Sequence, residues 1–264
     1  MDLELSGRAA LVTGSTAGIG LAIAQALAAE GAEVVVNGRT QRRVDEAVRA
    51  IREAAGNAPV RGIAADLGTR EGADRLIAAL PSVDVLVNNL GIFEAKPFAE
   101  ITDAEWMTMF ETNVLSGVRL ARHYFPGMLT AGWGRVIFIS SESAVQIPSE
   151  MIHYGVTKSA QVALARGMAE MTAGTGVTVN SVLAGPTRSE GVEQFVAGLA
   201  KDRGVSEKQV EEEFFKTVRP TSLIRRFETP DEVAAVVTFL CGQGASGVNG
   251  AAVRAEGGVL KGML

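Results

Sequence analysis

The stretch Thr13–Gly20, TGSTAGIG, ends the β-branched run RAALVTG and opens the helical pattern GIGLAIAQALAAEG, in which Ile19, Ile23, Ala26 and Leu27 recur at helical spacing. Gly14, Gly18 and Gly20 permit a tight strand-to-helix turn and let a pyrophosphate approach the backbone and the positive end of the helix. Their spacing is G-x-x-x-G-x-G, not the more familiar G-x-G-x-x-G. A glycine-rich turn also serves merely to pack a helix on a sheet. Its place directly after the first strand favours the dinucleotide reading.

Outward from that turn the same rhythm repeats. EVVVNGR reads as a second strand, followed by the charged amphipathic helix TQRRVDEAVRAIREAAG, which stops at Gly56. VRGIAAD is a third strand and TREGADRLIAAL a third helix, closed by Pro81. VDVLVNN is a fourth strand, before the long helix TDAEWMTMFETNVLSGVRLARHYF with Thr102 and Glu105 at its start. GRVIFISS, GVTVNSVLAGP and AAVRAEGG complete seven strands, separated by the helices SEMIHYGVTKSAQVALARGMAEMTA and TPDEVAAVVTFLC.

Alternation of this kind predicts parallel βαβ units, and runs such as VVV and VLV suit strands buried on both faces. The expected fold is α/β: a single Rossmann-type, doubly wound parallel sheet of about seven strands flanked by helices. Ligands of such sheets bind beyond the C-terminal strand ends. No linker, low-complexity tract or repeat divides residues 1–264, so one domain is expected. From Thr187 to Phe227 no strand signal occurs, and the charged piece SEKQVEEEFFKTV lies within. That length reads as a helical lid insertion over a substrate.

Composition removes other classes. A net charge of −5 without a basic run argues against nucleic acid. The single cysteine, Cys241, excludes an internal disulfide and fits a reducing compartment; within VAAVVTFLC it reads as a small buried hydrophobe. MDLELSG shows neither a basic nor an apolar signal region, and no apolar stretch is long enough to span a membrane. A soluble, cytoplasmic protein is expected, and the site reading includes no metal.

The end of the second strand bears on the cofactor. A carboxylate there would bond an adenosine ribose 2′-OH and repel a 2′-phosphate. Asn37, Gly38 and Arg39 stand there instead, so charge pairing favours NADP(H). Arg39 as an ordinary surface arginine leaves NAD(H) open.

In HYGVTKSA, His153–Ala160, Tyr154 and Lys158 lie one turn apart on one helix face. Alone, Tyr-x-x-x-Lys is a common coincidence. Together with the other motifs, in order along nearly the whole chain, it resembles the short-chain dehydrogenase/reductase family, in its branch of about 250 residues that includes 3-oxoacyl-ACP reductase-like members. TGSTAGIG resembles the family's cofactor loop, Asn88–Gly91 (NNLG) its N-N-A-G with Leu90 in place of alanine, and Gly185–Thr187 (GPT) its P-G turn beside the nicotinamide. The family's serine precedes its tyrosine by 13 residues, which is Ser141; Asn113, in TNV, stands where the family carries a catalytic asparagine.

The resemblance therefore implies Asn113, Ser141, Tyr154 and Lys158 as catalytic residues. It implies Gly14, Ser15, Thr16, Gly18, Ile19, Gly20, Arg39, Asp66, Leu67, Asn89, Gly91, Tyr154, Lys158, Pro186 and Thr187 at the cofactor, with Asp66 at the adenine ring. In that scheme Tyr154 exchanges a proton with the reacting oxygen, Lys158 and the oxidised nicotinamide lower the phenol's pKa from its usual value of about 10, and Ser141 holds the oxygen against it. Asn113 anchors a water linking Lys158 to solvent. His153 is expected to be structural or substrate-lining, and His123 a helix-surface residue.

Gln146, Ile147, Met151, Phe195, Phe214 and Phe215, with Val192 and Leu199, are expected to line a mostly apolar substrate pocket, or else to pack the insertion onto the domain. A ketone, a 3-oxoacyl thioester, a hydroxysteroid and a sugar or polyol all remain open as substrate, and fold analogy does not choose. The family usually forms homotetramers, with a homodimer as the alternative; the C-terminal GVNG…VRAEGG departs from the usual I-T-G…V-D-G-G of that contact region.

Overall fold

The computed structural model describes residues 2–56 and 58–263. Seven strands form one parallel sheet: β1 (Ala9–Val12), β2 (Glu33–Gly38), β3 (Val60–Ala64), β4 (Val85–Asn88), β5 (Trp133–Ser141), β6 (Gly176–Ala184) and β7 (Ala252–Ala255). Their spatial order is β3-β2-β1-β4-β5-β6-β7. The order reverses between β1 and β4, and a crevice opens at such a switch point beyond the strand ends.

Period-two alternation sends successive strand residues to opposite faces. Ala10, Val12, Val34, Val36, Val85 and Val87 face one layer of helices, α1 (Gly18–Ala29), α2 (Gln41–Ala55) and α9 (Pro230–Cys241). Leu11, Val35, Leu86, Val136 and Phe138 face the other, α3 (Arg70–Ala79), α5 (Ser116–Ala131) and α6 (Ile152–Ala169). Leu11 is fully buried, and cutting it to alanine would cost about 2–5 kcal/mol.

The long helix expected over 102–125 is three pieces in succession. It begins as α4 (Asp103–Phe110) with a capping box from Thr102 and Glu105, passes through a π-turn at Glu111–Leu115, and continues as α5. α5 runs past Pro126 to Ala131 and stops at Gly132, which is left-handed at φ 70°. Burial of Leu120, Tyr124, Phe125 and Met128 offsets the hydrogen bond that Pro126 removes. In the insertion, α7 (Glu190–Arg203) and α8 (Glu207–Thr217) pack around Val196, Val210, Phe215 and Phe227 as a small core of their own. One parallel bridge, Thr187 to Glu228, ties its two ends together. No helix among the described residues is long and apolar enough to cross a membrane.

Candidate functional site

Beyond β1–β3 lies a cleft of about 170 Å³, lined by Gly14, Thr16, Asn37, Gly38, Arg39, Ala65, Asp66, Leu67 and Leu90. Its floor is the glycine loop. A Cβ on Gly20 would come within 2.4 Å of Asn89 Nδ2 and 2.6 Å of the Gly14 carbonyl, so this position admits no side chain without rearrangement. Gly14 and Gly18 are left-handed, at φ 58° and 55°. Asn89 Nδ2 donates to the Thr13 and Gly14 carbonyls at 2.9 and 3.1 Å, holding the loop in place. Helix α1 has no side-chain cap and no acid in its first turn. Its leading N–H groups thus suit an anion, and the cradle fits a dinucleotide's pyrophosphate.

Asn37 takes a different part from that of a cofactor contact. Its Nδ2 donates to the Ile63 and Ala65 carbonyls at 3.2 and 3.1 Å, and its Oδ1 accepts from Gly14 N at 3.3 Å. It fastens β2, β3 and the glycine loop together. Ser15 is also spent internally: its hydroxyl donates to Val12 O at 2.6 Å and accepts from Asn37 N at 3.0 Å. Arg39 is exposed and makes no ion pair among the described residues, whereas Arg43 on α2 reaches across to Glu190 of α7 at 2.6 Å. Leu90 packs on the glycine loop, 3.2 Å from where a Gly14 Cβ would sit, and narrows the cleft there.

At the other end of the crevice, α6 presents Tyr154 and Lys158 with the ammonium 5.5 Å from the phenol ring centre. Gly155 between them lets the 143–147 segment press close, since a Cβ there would stand 2.6 Å from Ile147 Cγ2. Ser141 ends β5 and is buried. Asn113 lies in the π-turn, where its Nδ2 donates to Ile92 O at 2.9 Å and Thr157 Oγ1 at 3.0 Å, and its Oδ1 accepts from Ile92 N at 2.8 Å. All four residues that the family pattern singled out converge on this end of the sheet.

The electrostatics differ from the sequence expectation. Burial, more than any charge, pushes the Tyr154 phenol above its usual value; the Glu142 carboxylate pushes the same way, while Ser141 and Arg219 oppose. Burial also lowers Lys158, to about 8. Its ammonium donates to Ile139 O at 2.8 Å and to Gln161 Oε1 at 3.2 Å instead of bonding the phenol.

Three side chains around this quartet were not singled out by the sequence reading. Gln161 Nε2 donates to the Asn113 carbonyl at 2.6 Å, so one amide joins that carbonyl to Lys158. Glu142 and Arg219 form a buried ion pair at 2.8 Å next to Ser141. A polar Gln on a helix face that otherwise packs inward, and a Glu directly after a strand-end serine, are the only traces these leave in the sequence.

The remaining residues fall as follows. Thr187 is buried, with its hydroxyl on Gly185 O at 2.9 Å, beside half-buried Pro186. Asp66 accepts from Gly68 N at 3.1 Å and Gly91 is exposed. Gln146, Ile147 and Phe195 are exposed and Met151 half-buried. Phe214 and Phe215 pack with Phe227 at ring separations of 5.0 to 5.2 Å, inside the insertion's own core. His153 is fully buried against the Trp106 ring, and His123 is exposed with Nε2 3.0 Å from Pro81 O. Cys241 is buried and its thiol pushed up to about 12, so it is no nucleophile near neutral pH. A wider recess of about 1010 Å³ opens by Glu33, Val60 and Arg61, at the opposite ends of the strands, far from Tyr154.

The chain is similar to known proteins over nearly its whole length. Residues 8–199 match the model of the family described as short chain dehydrogenase. The chain is 47% identical over 261 residues to the uncharacterized oxidoreductase YvaG of Bacillus subtilis, covering 99% of each. It is 33% identical over 258 residues to the D-beta-hydroxybutyrate dehydrogenase of Cupriavidus necator, covering 96% of this chain and 98% of that one. Among solved structures, L-sorbose reductase from Gluconobacter frateurii, complexed with NADPH and L-sorbose, superposes with a TM-score of 0.93 at 34% identity and full coverage of both chains.

Proposed function

The chain belongs to the short-chain dehydrogenase family and is an oxidoreductase; from that premise we propose that it interconverts a carbonyl, in a ketone or 3-oxoacyl group, and a secondary alcohol with NADP(H), using Tyr154 as acid and base. The observation that carries this reading is the convergence of Tyr154, Lys158, Ser141 and Asn113 at the end of the crevice that begins at the glycine loop. When bound, the dinucleotide supplies or accepts the hydride. Gly14, Thr16, Gly18, Ile19 and Gly20 hold its pyrophosphate, Asp66 and Leu67 its adenine, and Asn89, Gly91, Pro186 and Thr187 the nicotinamide side. Arg39 takes the 2′-phosphate, because an exposed guanidinium and no carboxylate stands where β2 ends.

In reduction, the phenol gives its proton to the developing alkoxide; burial keeps it protonated until that moment. Lys158 keeps positive charge one helical turn away and holds the ribose. Asn113 and Gln161 fix Lys158's surroundings. The helical insertion, 187–227, covers the substrate. A polyol or sugar ketone fits among the substrates, since L-sorbose is the molecule bound in the superposed structure. A second reading, an NAD-linked dehydrogenase for a sugar or other secondary alcohol, draws on the hydroxybutyrate dehydrogenase relative.

The test is a nicotinamide-fluorescence titration with NADPH and NADH, followed by NADPH oxidation with L-sorbose and with ethyl acetoacetate. Tight NADPH binding with turnover of either probe is expected. Preference for NADH selects the second reading, and binding of neither overturns both.

A further inference from the structure

The segment that leaves β6 does more than begin the insertion; it crosses the crevice. In the sheet order β6 stands four strands from β2, a distance of about 19 Å at about 4.8 Å per strand. Thr187 is tied on the β6 side, by its bridge to Glu228 and its hydroxyl on Gly185 O. Two residues on, Ser189 already lies on the glycine loop: a Cβ on Gly18 would stand 3.3 Å from Ser189 Cβ. Glu190, the first residue of α7, then reaches α2, where its carboxylate accepts from Arg43 Nη2 at 2.6 Å and from Nη1 at 3.3 Å.

The two ends of this crossing are fastened differently. On the insertion side Arg188 N–H donates to Glu228 O at 2.8 Å, and its guanidinium pairs with Glu211 of α8 at 2.6 Å and lies 5.6 Å from the Phe227 ring centre. The far end has one fastening. Among the described residues, the Arg43 fork is the one side-chain hydrogen bond or ion pair that joins residues 187–227 to residues 2–80. A planar guanidinium that meets both carboxylate oxygens gives direction as well as charge. With side chains 38% and 48% exposed it is nonetheless a surface pair, and such pairs hold weakly and yield to salt. A tie of that strength suits a part that opens and closes.

We propose that Arg43 and Glu190 are the clasp of a strap, Thr187–Glu190, that closes over the dinucleotide's pyrophosphate, so that breaking this pair is a step in cofactor release. The strap lies on the glycine loop, between the adenine end at Asp66 and the acid/base end at Tyr154, and a dinucleotide bound along the crevice passes beneath it. Arg43 has this task and Arg39 does not: Arg39, which makes no ion pair among the described residues, is left for the 2′-phosphate. The device presupposes that the glycine loop holds the dinucleotide, as proposed above.

The test measures nucleotide release by stopped flow. Protein loaded with NADPH, or with NADH, is mixed with an excess of the oxidised nucleotide, and the decay of nicotinamide fluorescence gives the off-rate. The parent is compared with Glu190→Gln, with the charge-swapped Arg43→Glu/Glu190→Arg, and with Glu193→Gln. The last removes the other acid of α7's first turn, one without an ion pair among the described residues. At about 0.01 M salt, where charges act over about 30 Å, Glu190→Gln is expected to release NADPH and NADH about threefold faster. The swapped variant should return NADH release to within about twofold of the parent; NADH is the probe there because it carries no 2′-phosphate to meet the reversed charge. Glu193→Gln should keep the parent's rates, and at about 1 M salt the NADH rates of all four proteins should converge. Unchanged release from Glu190→Gln, or an equal acceleration in Glu193→Gln, would overturn the clasp. So would slower NADPH release with NADH unaffected, the mark of an Arg43 that Glu190 holds back from the 2′-phosphate. If the parent binds neither nucleotide, the glycine-loop reading falls and the clasp with it; normal binding with unaltered release sinks the clasp alone.

Discussion

The two ends of the crevice are built from different materials. The glycine loop is built of backbone and uncharged amides: a loop too tight for a Cβ at Gly20, Asn89 and Asn37 tying strands together, and Ser15 turned inward. At the proposed acid/base end, buried ionisable groups depend on one another. Lys158 leans on Gln161, Ser141 on Glu142, and Glu142 on Arg219. The first end fails by sterics and the second by charge, so substitutions at the two should have distinct signatures.

The largest effect expected short of the acid/base residue itself is at the first end. Gly20→Val forces side-chain atoms into Asn89 and the Gly14 carbonyl, and overpacking of this kind should weaken NADPH binding by roughly a hundredfold, read by fluorescence titration. At the second end, Gln161→Leu leaves the buried Asn113 carbonyl and Lys158 without their shared partner. Turnover should fall roughly tenfold with NADPH affinity nearly unchanged. An affinity loss as large as the turnover loss would erase the distinction between the ends. Arg39→Ala should cost about tenfold in NADPH affinity and spare NADH, as expected for loss of one charge-assisted contact; equal effects on both would make Arg39 a surface residue.

The smallest effect concerns stability. Glu228 is buried beside the Gly185–Thr187 turn, its Oε2 accepting from Gly185 N at 3.1 Å, and burial raises its pKa from 4.5 to about 7. The unfolded chain releases this proton near pH 4.5 and the folded chain near pH 7, so the folded state holds it more tightly across that window. Stability from this group is therefore full below the window and is lost as pH rises through it. Glu228→Gln should remove that dependence and stabilise the protein at pH 8 by on the order of 2 kcal/mol, measured by urea unfolding. An unchanged pH profile would show the carboxyl to be better solvated than its burial indicates.

What the sequence disclosed follows the same division. The glycine turn, the Thr102 cap and the individual strands are local patterns, each visible within a dozen residues, and the alternation of strands with helices implied the parallel sheet. Tyr154, Lys158, Ser141 and Asn113 came from a family pattern laid over the chain. Glu142 and Arg219 are 77 residues apart, and Gln161 reaches a carbonyl 48 residues away. No periodicity or spacing encodes such pairs; they exist only once α8, β5 and α6 have met. The π-turn at Asn113 escaped notice because its residues keep an ordinary helical pattern. Asn37 and Ser15 lay within the expected cofactor segment, yet their side chains serve the backbone, a distinction that residue type alone does not make.

The most direct test of the account is Tyr154→Phe, measured for both NADPH binding and NADPH oxidation with the probe that the parent reduces. The account predicts binding within about threefold of the parent and a loss of turnover of about a thousandfold, the scale of a positioned acid/base group. Turnover close to that of the parent, with binding intact, would contradict it.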